Sequence, residues 1–211
     1  MRIALALLVL LGSLSVSASS VFDDMKVRAE QGDADAQSAL GYNYYAGKGT
    51  PQDYKEALRW YRASAEQGNQ YAQSSLALMY KQGEGTPQDY KEAVRWYLAS
   101  AEQGYAMAQH NLALMHYNGE GTPKDYKEAV RWFRASAEQG YASAQFNLAF
   151  MYKNGEGTIQ DYKLAHMWWN IAAANGQEDA KNNRDIVAGK MTPADISEAQ
   201  QMASDWMKVH P

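Results

Sequence analysis

Apolar residues recur along most of the chain with helical spacing. From residue 34 onward they follow at intervals of four, four and three, as in Ala36, Leu40, Tyr44 and Gly47, which places them on one side of a helix. After residue 50 a second stretch has a broader apolar side with Ala57, Trp60 and Tyr61 among its members. Both patterns return every 36 residues, and the glycine that separates successive copies stands at Gly32, Gly68, Gly104, Gly140 and Gly176.

A constant period of this length predicts an all-α solenoid built from antiparallel helix pairs. We place four repeats over residues 29–172, with boundaries at 29–64, 65–100, 101–136 and 137–172. Residues 19–32 resemble a second helix without its first helix, which predicts an N-terminal capping half-repeat. Residues 173–211 predict a degenerate fifth repeat followed by a C-terminal capping helix that restarts at Thr192.

Glycine and proline mark the turn inside each repeat. The first helix should end at a Gly-x-Gly pair such as Gly47 and Gly49, because a glycine in the left-handed conformation commonly ends helices. A phosphate-binding loop is the weaker interpretation, since no strand precedes the pair. Two start signals overlap for the second helix, and either Thr50 or Asp53 could cap it.

One tryptophan occupies the same position in each of the four repeats. A periodic aromatic residue of this kind predicts core packing between helices, in preference to an aromatic cage for a ligand. The four residues are Trp60, Trp96, Trp132 and Trp168.

Composition excludes several functional classes. The chain has no cysteine, so disulfides, thiolate catalysis and cysteine metal ligands are absent. Its formal net charge of −4, with both signs interspersed, argues against nucleic acid and anionic lipid as partners.

The first residues predict export. Arg2 supplies a positive charge, residues 3–11 are an apolar run too short to span a bilayer, and Val16-Ser17-Ala18 offers a cleavage site. We therefore expect residues 1–18 to be a signal peptide and the mature chain to begin at Ser19. We expect that chain to reside in a bacterial periplasm, or to be secreted, without inserting in the membrane.

The repeated phrase AEQGxxxAQxxLAxMYxxGEGTPxDYKEAxRWYxAS resembles the Sel1-like repeat, a relative of the tetratricopeptide repeat. The resemblance covers nearly all of the predicted mature chain. It implies helix pairs wound into a right-handed superhelix whose first helices line the concave face. It also implies a role as an adaptor or scaffold in protein complexes.

Catalytic signatures are missing from the sequence. The four histidines form no metal-binding pair, and no GxSxG or SxxK motif is present. His116, which replaces a repeat tyrosine, is best interpreted as a packing residue. Some cysteine-rich Sel1-like proteins are described as penicillin-binding or β-lactamase-like, but this chain lacks their cysteine pairs. We expect no enzymatic activity, no cofactor and no metal.

A binding site should lie where the repeats differ while the core is kept. The variable positions of the first helices could also be unconstrained surface, or could recognise a cell-wall glycan. We expect a protein or peptide partner to bind there, and a monomeric chain. The candidate partner-binding residues are Tyr45, Ser74, His110, Asn111, Tyr117, Phe146 and Asn147.

Overall fold

The computed structural model describes residues 21–210, and within this range the regular structure is entirely helical. The predicted signal peptide lies outside the described residues. Helix α1 covers residues 21–30. The following helices are α2 (Ala34–Ala46), α3 (Tyr54–Glu66), α4 (Gln70–Gln82), α5 (Tyr90–Glu102), α6 (Ala106–Asn118), α7 (Tyr126–Glu138), α8 (Ala142–Asn154), α9 (Tyr162–Ala174), α10 (Asp179–Ala188) and α11 (Pro193–Val209).

The chain forms two compact units, and the boundary falls inside α5. The first unit extends to Trp96 and the second begins at Tyr97. Each contains helix pairs with the predicted 36-residue period, so the predicted all-α repeat class is confirmed. None of the helices in residues 21–210 combines the length and the apolar character that crossing a bilayer requires.

Aspartate, not threonine, caps the second helix of each of the four repeats, whereas Thr192 caps α11. The Oδ1 atom of Asp53 accepts hydrogen bonds from the backbone N–H groups of Lys55 and Glu56 at 2.9 and 3.1 Å. The Glu56 carboxylate does not complete a capping box, because the Asp53 N–H donates to the Tyr44 carbonyl oxygen at 2.9 Å; Glu56 instead accepts from the Arg59 guanidinium at 2.8 Å. Asp53 thus satisfies two amide groups that the helix start leaves without partners.

Two glycines fix the turn between α8 and α9. Gly155 ends α8 in the left-handed conformation, with φ of 72°. Gly157 has φ of 69° and lies against the start of α7, where a Cβ atom would overlap the carbonyl oxygen of Tyr126. The Gly-x-Gly pair therefore ends one helix and allows close contact with the preceding repeat.

Buried aromatic and small residues form the core. The four repeat tryptophans are 5 to 7% exposed, as the packing interpretation predicts. In the first unit, Ala29 of α1 joins Leu40 and Trp60 in one cluster, and Phe22 and Met25 pack against it. In the second unit, Trp206 of α11 packs edge-on against Trp168 with ring centroids 5.6 Å apart.

Buried polar residues join the second helix of a repeat to the first helix of the same repeat. In the second unit, Ser136 donates to the carbonyl oxygen of Ala106 at 2.7 Å, and Gln139 donates to the Gln109 side chain at 2.7 Å. The same two bonds occur in the first unit, from Ser64 to Ala34 and from Gln67 to Gln37. These bonds give partners to the buried side chains of Ser64, Ser136, Gln37 and Gln109, so these polar residues of the repeated phrase serve packing.

Candidate functional site

A cleft of about 190 Å³ opens in the second unit between α6, α7 and α8. We call it the apolar cleft, because four of its seven lining residues are aliphatic, aromatic or thioether side chains without a hydrogen-bonding head group. The lining residues are Leu114, Tyr117, Phe133, Asn147, Phe150, Met151 and Asn154.

Ring contacts hold Phe150 in the wall of the apolar cleft. Its ring meets Phe146 and Trp169 edge-on, each with centroids 5.0 Å apart. Trp169 is fully buried, so one support of Phe150 belongs to the core. Edge-on aromatic contacts fix ring orientation, which makes this wall preformed.

Tyr117 forms the opposite wall. Its ring packs against Tyr126 with centroids 5.2 Å apart. Burial, followed by the charge of the Glu156 carboxylate, raises the pKa of the Tyr117 hydroxyl. The hydroxyl therefore stays protonated at neutral pH and can donate a hydrogen bond.

His110 supports Asn147 from below the cleft. The histidine is only 9% exposed, and its ring lies between Phe133 and Tyr141 with centroid distances of 5.7 and 5.2 Å. Its Nε2 atom is 3.0 Å from Nδ2 of Asn147. In this contact the Asn147 amide N–H donates to Nε2, and Asn147 Oδ1 takes no part in it.

The structure brings together only part of the predicted site. Tyr117 and Asn147 line the apolar cleft, and Phe146 supports its wall. Phe146 and Tyr117 are half-buried. Asn111 lies on α6 outside the cleft lining. His110 is buried, so it supports the site and does not offer a surface.

Two predicted residues lie in the first unit. Ser74 is 5% exposed, which leaves it almost no surface for a partner. Tyr45 packs against Tyr54 with centroids 5.4 Å apart. Burial, followed by a hydrogen bond to Glu84, raises the pKa of Tyr45 to about 12.

Five of the seven lining residues were not among the predicted site residues, namely Leu114, Phe133, Phe150, Met151 and Asn154. Leu114 and Phe150 share one repeat position, which also contains Tyr42, Leu78 and Ile186. The feature of the sequence that indicates this site is a repeat position whose side chain is always large but differs in shape between repeats. We interpreted apolar residues at helical spacing as core, and this position is only partly buried in both cleft residues.

His116 is partly buried, and burial lowers its pKa. It breaks a pair seen elsewhere, in which an arginine donates to a tyrosine hydroxyl, as Arg134 does to Tyr152 at 2.8 Å. At the matching positions the chain has Leu98 and His116. The partial burial of His116 agrees with the packing interpretation. Within residues 21–210 no group of three or more histidine, aspartate or glutamate side chains could hold a metal ion.

The model of the Sel1 repeat matches four consecutive segments, at residues 34–69, 70–105, 106–141 and 142–177. The chain belongs to the Sel1 repeat family. The matched segments have the predicted 36-residue period, and each begins five residues later than our sequence boundaries. Sel1 repeat proteins commonly serve as scaffolds for protein–protein interaction, and their repeats are typically non-catalytic.

Two solved structures of Sel1 repeat proteins are similar to this chain. The protective antigen c5321 of uropathogenic Escherichia coli is 32% identical with a TM-score of 0.82, over 89% of this chain and 40% of the antigen. The chain thus spans less than half of that antigen. A Sel1 repeat protein of Oxalobacter formigenes is 30% identical with a TM-score of 0.74, over 94% of this chain and 84% of the relative. The curated proteins contain no match.

Proposed function

We propose that this protein is an exported scaffold that binds a protein or peptide partner on the face formed by its first helices. The apolar cleft carries the proposal, with Phe150 and Leu114 as its apolar surface and Asn147 and Asn154 beside them. Apolar surface combined with a few fixed polar groups is typical of binding sites. The family's common scaffold role supports the same conclusion.

The size of the apolar cleft favours a peptide side chain over a metabolite. Its volume of about 190 Å³ is below the ~300–1,000 Å³ that small-molecule sites usually provide. One apolar side chain of a partner would fill it, while the amides of Asn147 and Asn154 bond the partner's backbone. The partner segment we propose is therefore an extended peptide or helix with one aliphatic or aromatic anchor.

Matched asparagine pairs test the site. Asn111 and Asn118 occupy the same repeat positions in α6 as Asn147 and Asn154 in α8, but lie outside the cleft lining. Peptides would be selected from a displayed library on the folded protein. Affinity would then be measured for N147A/N154A and for N111A/N118A.

We expect the cleft variant to lose about 10-fold or more in affinity, since two hydrogen bonds at about 1 kcal/mol each are removed. The control variant should bind within about 2-fold of the parent. Equal losses in both variants, or selection of peptides without an apolar anchor, would contradict the proposal.

Export rests on the charge and apolar pattern of residues 1–18. The mass of the protein recovered from the periplasmic fraction of its native host tests it directly. We expect a chain that begins at Ser19. A full-length chain that remains in the cytoplasm would refute export and leave the binding proposal intact.

A further inference from the structure

A second cleft, in the first unit, has different chemistry from the apolar cleft. It lies between α2, α3 and α4 and has a volume of about 370 Å³, within the ~300–1,000 Å³ range of small-molecule sites. All but one of its described lining residues carry a hydrogen-bonding side chain, and the exception is Ala39. We call it the tyrosine cleft, after Tyr42, Tyr61 and Tyr71.

Two of these tyrosines present ring surface to solvent. Tyr71 is 55% exposed and Tyr42 is 47% exposed, which is unusual for aromatic residues in this chain. Tyr61 lies beneath them, only 4% exposed, and burial raises the pKa of its hydroxyl to about 12. The cleft therefore offers aromatic walls and a protonated hydroxyl at its floor.

Polar groups surround these rings in a fixed arrangement. Asp35 accepts a hydrogen bond from Asn69 Nδ2 at 2.8 Å, while Asn69 Oδ1 caps α4 by accepting from Tyr71 and Ala72. Asn69 thus positions one carboxylate oxygen of Asp35, and Asn69 is itself fixed by its bonds to the start of α4. The hydroxyl groups of Ser38 and Ser75 complete the lining.

The charges around the tyrosine cleft nearly balance, which favours a neutral ligand. Asp35 carries the only full charge among the described lining residues. The Lys48 ammonium lies 4.8 Å from the Tyr42 ring centroid and donates to the Tyr42 hydroxyl at 2.9 Å, and the α4 N-terminus adds partial positive charge. These charges offset that of Asp35, so neither a cation nor an anion has a clear advantage.

We propose that the tyrosine cleft binds a neutral sugar ring. A pyranose has an apolar C–H surface that can stack on Tyr42 or Tyr71 and a rim of hydroxyl groups that can donate to Asp35 and accept from the serines. An apolar peptide anchor would displace water from these polar groups without replacing the hydrogen bonds that the water makes, which is costly. This site is independent of the apolar cleft and of the peptide proposal.

Titration with neutral disaccharides tests the site. Cellobiose, maltose and N,N′-diacetylchitobiose would be added to the ¹⁵N-labelled protein, with N-acetyl-arginine amide as a charged comparison. We expect at least one disaccharide to shift the backbone amides of α2 and α4, and to bind more tightly than the arginine amide. Absence of shifts with all three disaccharides, or tighter binding of the arginine amide, would overturn the proposal.

Variants separate stacking from hydrogen bonding. Tyr71→Ala should weaken binding about 5-fold, whereas Tyr71→Phe should stay within about 2-fold of the parent because the ring remains. Asp35→Asn should weaken binding about 3-fold. Asp179→Asn removes the same charge at the matching position of α10 and should have no effect. Equal effects of Asp35→Asn and Asp179→Asn, or binding that survives Tyr71→Ala, would contradict the site.

Discussion

Gly157 provides a quantitative test of how the repeats join in the second unit. At Gly157, alanine would have to adopt φ of 69°, at a cost of about 1–2 kcal/mol. Its Cβ would also overlap the Tyr126 carbonyl and lie 2.8 Å from the backbone nitrogen of Lys127. Both neighbours are backbone atoms at a helix start, so relief requires moving α7 or the turn.

Gly140 is the matched control for this substitution. It has φ of 87°, but a Cβ there would meet no atom within 4 Å. Gly140→Ala therefore isolates the conformational cost. The overlap at Gly157 should add about 1–3 kcal/mol, the usual range for overpacking. Alanine also restricts the unfolded chain, by about 0.4–1 kcal/mol, and this contribution is common to both variants and cancels.

Urea unfolding followed by tryptophan fluorescence measures the difference. We expect Gly140→Ala to lower the free energy of unfolding by about 1 kcal/mol and Gly157→Ala by about 2–4 kcal/mol, with an unchanged dependence on urea. Equal losses in the two variants would show that the close approach of Gly157 to α7 is absent in solution.

Three further predictions concern the core and the buried histidines. Trp132→Ala should cost about 3–5 kcal/mol of unfolding free energy, and an unchanged melting temperature would refute its core role. Burial lowers the pKa of His116 and His166, so their contribution to stability should be full above about pH 6.5 and decline as pH falls below it. The urea midpoint should fall less between pH 7 and pH 5 in His116→Tyr than in the parent protein. An equal fall in the two proteins would show that His116 does not contribute to the pH dependence. The double variant Leu98→Arg/His116→Tyr should restore the arginine–tyrosine bond, with a favourable coupling of about 0.5–1 kcal/mol in a double-mutant cycle and none if the pair does not form.

The helices and the core could be predicted because the repeat reveals which residues must stay apolar. Ala36 and Leu40, taken from the helical stripe, are 4% and 0% exposed. The helix start was ambiguous because Thr50 and Asp53 both carry capping oxygens, and only the geometry shows which one meets the free amide groups.

The candidate site could be predicted only in part. Variation among repeats pointed to Tyr117 and Asn147, which line the apolar cleft, but it also selected Ser74 and His110, which are buried. A position can vary because neighbouring side chains compensate, as Asn147 does for His110 through their contact. Phe150 could not be predicted as a site residue, because a partly buried apolar residue has the same helical spacing as a core residue.

The tyrosine cleft could not be predicted from the repeats. Asp35 and Asn69 occupy successive copies of the region where a first helix begins, and the sequence gives no distance between them. Their hydrogen bond and the exposure of Tyr42 and Tyr71 follow from tertiary packing.

Site-specific photo-crosslinking in the native host tests the central claim, partner binding at the apolar cleft, most directly. A benzophenone amino acid would replace Tyr117 in the cleft wall or, as a control, Lys127 on the exposed side of α7. We predict that the probe at position 117 forms one discrete protein adduct, which the N147A/N154A changes abolish, and that the probe at position 127 does not form it. The same adduct from position 127, or an adduct at position 117 that survives N147A/N154A, would contradict the account.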